Sequence, residues 1–171
     1  RYALVELVNL HDASLIFEPI HRVVFDCPTL PEDLRAAFAA ARMTPVADLD
    51  ALDAMVREDV SPAQRFGMVT ADGYTLVEIP APEHALAVGT LQDFLDAWLN
   101  AHPVAEIDYV HGEEALDRLA RQEANCGFVL PAIAKDSFFR SIAVDGSFPR
   151  KTFSLGHAAD KRFYQECRQI G

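Results

Sequence analysis

Residues 17–25 read "FEPIHRVVF", an apolar, strand-forming run into which Glu18, Pro19, His21 and Arg22 intrude. As a straight strand it places Phe17, Pro19, His21, Val23 and Phe25 on one face and Glu18, Ile20, Arg22 and Val24 on the other, because side chains alternate across the pleat. Proline gives no N–H to a ladder and restrains the residue before it, so an edge, bulge or break is predicted at Pro19 before "HRVVFD" resumes. Such a break lifts the alternation and lets Glu18, His21 and Arg22 converge. The stretch is thus either core strand or one wall of a site.

On its amino-terminal side, "YALVELVN" alternates weakly and predicts a largely buried strand, followed by a polar turn. On its carboxy-terminal side, "PTLPEDLRAAFAAARM" opens with proline and two acids and then sets Leu34, Phe38 and Ala41 at helical spacing, which predicts a single helix. "DLDALDAMVRED" predicts a second, with Leu49, Leu52, Met55 and Val56 as its apolar stripe. "RFGMVTADGYTLVEI" reads as a hairpin around "ADG". "LQDFLDAWLNAH" is an amphipathic helix with Thr90 as its expected cap. "EIDYVHG" and "CGFVLP" read as strands on either side of a helix in "GEEALDRLARQEA". The remainder predicts a helix in "AKDSFFRSIAVDG", a loop in "SFPRKTFSLG" and a closing helix in "AADKRFYQECRQI". Hairpins mixed with helices, without a regular βαβ period, predict an α+β fold. The expected architecture is a mixed, mainly antiparallel sheet with helices packed on it, in one domain over residues 1–171.

The formal charge of −11 argues against nucleic acid or an anionic membrane as partner, since both require a basic surface. The charge is uneven: from Lys135 onward seven Lys/Arg face four Asp/Glu, a local +3, which leaves −14 on the residues before it. A cationic end on an acidic body suits a small anion. Cys27, Cys126 and Cys167 share no CxxC spacing, which predicts reduced thiols and a cytosolic protein, and the six histidines show no metal-ligand spacing. The chain opens at Arg1 directly into a strand-like run, which predicts a trimmed fragment of a longer protein.

Three constellations carry chemistry. Glu18, His21 and Arg22 combine a carboxylate that can orient an imidazole with a planar guanidinium for a phosphate or carboxylate; the structural alternative is an Arg–Glu ion pair and a core histidine donating to a carbonyl. In "PRKTFSLG", Arg150, Lys151, Thr152 and Ser154 form a loop suited to an anion, or the hydroxyls merely cap the loop. Further on, Lys161 lies on one side of the expected closing helix.

At these residues the chain resembles a known family. "RYALVELVNLHDASLIFEPIHRVV" resembles the start of the carboxy-terminal half of a bacterial family of uncharacterised proteins, domain of unknown function 1015, whose members carry a similar Pro-x-His-Arg element. Phe148 through Tyr164 resembles the Leu-Pro-Arg-Lys-Thr-Phe-Ser pattern of one branch, with Phe148 in place of leucine. The resemblance implies an amino-terminal half with an Asp-Gly-(Asn/His)-His element, similar to ParB-like and sulfiredoxin-like nucleotide-using domains, and hence ATP as a cofactor of the full-length protein. The placement of family genes beside serine-biosynthesis genes implies a small phosphorylated or amino-acid substrate. The family pattern also places the Pro-x-His-Arg element and the Arg-Lys-Thr loop at matching ends of one domain, which implies that they share one site. The resulting expectation is a small-molecule enzyme, inactive as this fragment alone. Arg22, Arg150, Lys151, Thr152, Ser154 and Lys161 hold an anion, and His21, oriented by Glu18, transfers a proton in phosphoryl-transfer chemistry. The alternative is a non-catalytic module that packs against the missing amino-terminal half or forms a homodimer.

Overall fold

A computed structural model describes residues 9–156; the strand expected in "YALVELV", the expected closing helix and Lys161 lie outside the described residues. The chain runs β1 (Phe17–Phe25), α1 (Leu30–Ala37), β2 (Arg42–Val46), α2 (Leu49–Val56), β3 (Gln64–Thr70), β4 (Gly73–Ile79), α3 (Ala87–Ala101), β5 (Glu106–His111), α4 (Glu113–Ala120), β6 (Cys126–Val129), α5 (Phe138–Asp145) and β7 (Phe153–Leu155).

The stretch at 17–25 is one uninterrupted strand, not a broken one. Pro19 fits because the neighbours change along β1: Phe17 to Pro19 pair with β7, and pairing with β5 begins only at Ile20. Among the described residues, proline therefore sits where the strand is paired on one side, the environment it tolerates. From Arg22 to Val24, β1 is paired on both sides, with β5 and with β6.

Seven strands join in the order β2-β4-β3-β6-β1-β5, with β7 beside the start of β1, and every pairing among the described residues is antiparallel. The expected α+β class holds, with helices on both faces. Val24, Met68, Val77 and Phe128 pack with Leu30 and Leu34 of α1 and Leu91, Leu95 and Trp98 of α3. Their strand neighbours Val23, Val69, Leu76 and Val129 pack with Leu52 and Val56 of α2 and Leu116 and Ala120 of α4. Covering both faces explains why these strands read as continuous apolar runs instead of alternating ones. Helix α4 lies so close to the sheet that a Cβ on Gly127 would come 2.6 Å from the Ala120 Cβ.

The hairpin forms as predicted, with Thr70 paired to Gly73 and glycine accepting φ +138° as β4 begins. Three details differ. Helix α1 stops at Ala37, and Arg42 and Met43, expected at its end, instead open edge strand β2 against β4, which lets Met43 pack on one face and Val46 on the other. Helix α3 starts at Ala87 instead of after Thr90: Ala87, Val88 and Gly89 are buried, and Thr90 is no cap but donates its hydroxyl to Gln64 Oε1 at 2.7 Å. The 147–156 loop contains the short strand β7.

Candidate functional site

Because β1 is continuous, His21 and Arg22 point to opposite faces and do not converge. Arg22, on the α3 face, is fully buried. Its Nε donates to Gln92 Oε1 of α3 at 3.2 Å, its Nη1 to the Ile20 carbonyl, and its Nη2 to the Arg150 carbonyl at 3.2 Å. Gln92 passes the contact on by donating to Asp96 at 2.8 Å. The Arg22 guanidinium carbon lies 5.3 Å from the centre of the Tyr109 ring, and that of Arg150 lies 5.7 Å from it. The Tyr109 hydroxyl is buried and makes no hydrogen bond among the described residues. Burial pulls the Arg22 pKa down to about 10, so it remains a cation at neutral pH. A planar fork satisfied on three sides by neutral acceptors is how a buried guanidinium avoids the cost of an unpaired charge. Arg22 thus ties the central strand to α3 and to a loop far away in sequence, and is itself enclosed.

His21 is a core histidine, though not in the form expected. The Leu130 N–H donates to its Nδ1 at 3.1 Å, which puts the ring proton on Nε2. That Nε2 faces Glu113 Oε1 at 3.7 Å, beyond hydrogen-bond length, and is buried. Glu113 opens α4 and also receives Arg57, just after α2, at 2.9 Å. The facing imidazole, with help from the residue's own amide and Arg57, holds the Glu113 carboxyl at about 2 against the effect of burial. Glu18 does not provide the orienting carboxylate expected for His21: its Oε2 lies 3.3 Å from His111 Nδ1 of β5.

The 146–152 loop is built on aromatic packing. Phe148 and Phe153 pack with Phe138 at ring separations of 5.2 and 5.8 Å, and Phe17 of β1 lies 4.6 Å from Phe153. The Thr152 hydroxyl donates to the Pro149 carbonyl at 2.6 Å, and Ser154 is buried in β7 opposite Glu18. The Thr152 hydroxyl thus belongs to the loop's own structure. Lys151, at φ +56°, and Arg150 are exposed. Of the anion-binding residues expected here, the structure joins Arg22 to Arg150 and keeps Lys151 adjacent in the chain.

A cleft of about 720 Å³ lies between α3 and this loop. Gln92, Asp93 and Asp96 line it from α3, and Ser147 to Arg150 from the loop. Arg150 faces Asp96 at 3.8 Å across it. Its third side is formed by His84, from the segment after β4, and Asp145, at the end of α5. His84 Nε2 bonds Asp93 Oδ2 at 2.7 Å, and both Asp145 oxygens accept the Ala85 N–H, at 3.1 and 2.8 Å. Sequence reasoning missed His84, Asp93 and Asp145. They come from three separate segments, and no spacing rule links them. Among the described residues no cluster of three metal-ligating side chains occurs.

No curated protein matches the chain. Among solved structures, a free serine kinase in complex with AMP is similar, with a TM-score of 0.60 at 13% identity, over 88% of this chain and 57% of that one. The chain therefore spans little more than half the length of that kinase, and the likeness shows the fold. Residues 1–98 match the family described as protein of unknown function (DUF1015). The match contains the Pro-x-His-Arg element of β1 and ends within α3, ahead of the Arg150–Thr152 loop. The chain belongs to the DUF1015 family.

Proposed function

We propose that the cleft between α3 and the 146–152 loop binds a small molecule through a phosphate or carboxylate, and that the protein uses it in phosphoryl transfer linked to amino-acid metabolism. One observation carries this reading. A fully buried arginine of the central strand donates to the Arg150 main chain, while the Arg150 guanidinium stays on the cleft wall. Burying a charge is costly, and a central-strand position such as 22 ordinarily takes an apolar side chain. Arg22 instead fixes the loop that presents a bidentate anion donor. Asp96, 3.8 Å away and over half exposed, is a loose partner that an incoming anion displaces. Lys151, exposed beside Arg150, adds positive charge.

The fold likeness to a kinase bound to AMP supports phosphoryl transfer as the reaction class and a nucleotide such as ATP as donor. One fold hosts many reactions, so the assignment rests on the cleft more than on the likeness. His21 has no part in this reading, because its ring faces α4 on the opposite side of the sheet. Calorimetric titration with phosphoserine and AMP tests the proposal. Arg150→Ala should weaken phosphoserine binding about tenfold, or about 1.4 kcal/mol, at unchanged melting temperature. Equal affinity in both proteins removes Arg150 as the anion contact and favours the non-catalytic assembly module.

A further inference from the structure

We propose that His84 is the proton-transfer residue of this cleft, acting on a hydroxyl of the same anionic small molecule; the inference rests on the reading of the cleft given above. The main chain at His84 is fixed in place. The His84 carbonyl accepts Gln64 Nε2 at 2.7 Å, and Gln64 Oε1 accepts the Thr90 hydroxyl at 2.7 Å. Two buried polar side chains in an apolar layer are thus committed to placing one main-chain carbonyl. Asp145 holds the next N–H with both oxygens. The ring lies against α3 where Gly89 makes room: a Cβ there would stand 3.1 Å from His84 Cβ and Cγ.

The ring is also oriented. With Asp93 accepting at Nε2, the neutral imidazole carries its proton there and leaves the Nδ1 lone pair as the base. Nδ1 makes no hydrogen bond among the described residues, and Asp145 Oδ2 stands 4.0 Å from it, placed to stabilise an imidazolium. Asp93 is accordingly a positioning residue and His84 the catalytic one. The other charged groups of the cleft are Asp96 and Arg150. A volume of about 720 Å³ suits a small molecule whose anionic group rests on Arg150 and whose hydroxyl reaches His84.

In the step so described, the hydroxyl proton passes to Nδ1 as the hydroxyl oxygen bonds the γ-phosphorus of a nucleoside triphosphate. The bond from that phosphorus to the bridging oxygen breaks, a nucleoside diphosphate leaves, and the imidazolium later returns its proton to water. By reversibility, the phosphorylated compound is bound by the imidazolium form.

The test is calorimetry of O-phosphoserine binding at pH 7 in two buffers of different ionisation enthalpy, which counts protons taken up. The unmodified protein should bind with proton uptake; His84→Gln should lose the uptake while its dissociation constant changes less than about tenfold. Asp93→Asn should change the uptake without abolishing binding. Binding with uptake unchanged in His84→Gln overturns the role of His84 and leaves the cleft standing. No binding by the unmodified protein, or binding indifferent to Arg150→Ala, overturns the cleft and His84 with it.

Discussion

Arg22 Nη2 donates across 3.2 Å to the carbonyl of Arg150, joining the central strand to a loop 128 residues further along the chain. Replacing Arg22 with methionine keeps the apolar stem but leaves Gln92, the Ile20 carbonyl and the Arg150 carbonyl without this donor. Each buried acceptor so stranded costs about 1–3 kcal/mol, discounted where water can enter. We expect a urea midpoint corresponding to about 2–4 kcal/mol less stability and faster amide exchange at Ser154, which faces Glu18 in the β1–β7 ladder. Unchanged exchange in β7 would mean the loop does not depend on Arg22.

Gly127 sits where β6 meets α4. A methyl group there lands 2.6 Å from the Ala120 Cβ, a backbone-fixed atom that cannot swing away. Gly127→Ala should therefore cost about 1–3 kcal/mol through overpacking. Adding Ala120→Gly should recover part of the loss, less about 1 kcal/mol for glycine inside a helix. A double variant no better than the single one contradicts this contact.

The pH dependence of stability follows from Glu113. Its folded pKa, about 2, lies below its ordinary value of 4.5, mainly because of the facing His21 ring. A depressed carboxyl contributes stability that is complete above the unfolded pKa and drains away as pH falls through the folded one. Glu113→Gln should thus be less stable than the parent at pH 7, by about 1–2 kcal/mol, with the gap closing between pH 4.5 and pH 2. Chemical denaturation at pH 7, 4 and 2.5 reads this directly; a gap constant with pH removes the electrostatic account.

Asp96 competes with any ligand for Arg150, from 3.8 Å away. Asp96→Asn should tighten phosphoserine binding by about threefold to tenfold, as expected for removing one exposed like charge from an anion site. Weaker binding in this variant would show that Asp96 contacts the ligand, for instance through an ammonium group.

The hairpin at 64–79 was legible because its turn signal and β-rich flanks agree. Strand β2 was not. Arg42 and Met43 close the stretch that reads as one helix, and only the ladder to β4 makes 42–46 a strand. Thr90 looked like a cap because a threonine ahead of "LQDF" fits one, whereas burial of Ala87 and Val88 begins α3 earlier. The divergence of His21 and Arg22 follows from the period of two once β1 is known to be continuous. Pro19 concealed that continuity, since the short β7 that shelters it lies in a stretch that reads as loop. The hydrogen bond from Arg22 to the Arg150 main chain joins segments 128 residues apart, which no local pattern records. The His84, Asp93 and Asp145 grouping arises from tertiary packing that no local pattern records.

The most direct measurement is a crystal structure of the protein with O-phosphoserine bound. The account predicts the ligand in the cleft between α3 and the 146–152 loop, with its phosphate or carboxylate within hydrogen-bond distance of the Arg150 guanidinium and Arg22 still bonded to the Arg150 carbonyl. A ligand seated against His21 and Glu113 on the opposite face, or a cleft in which Arg150 stays turned to Asp96 with the ligand elsewhere, contradicts it.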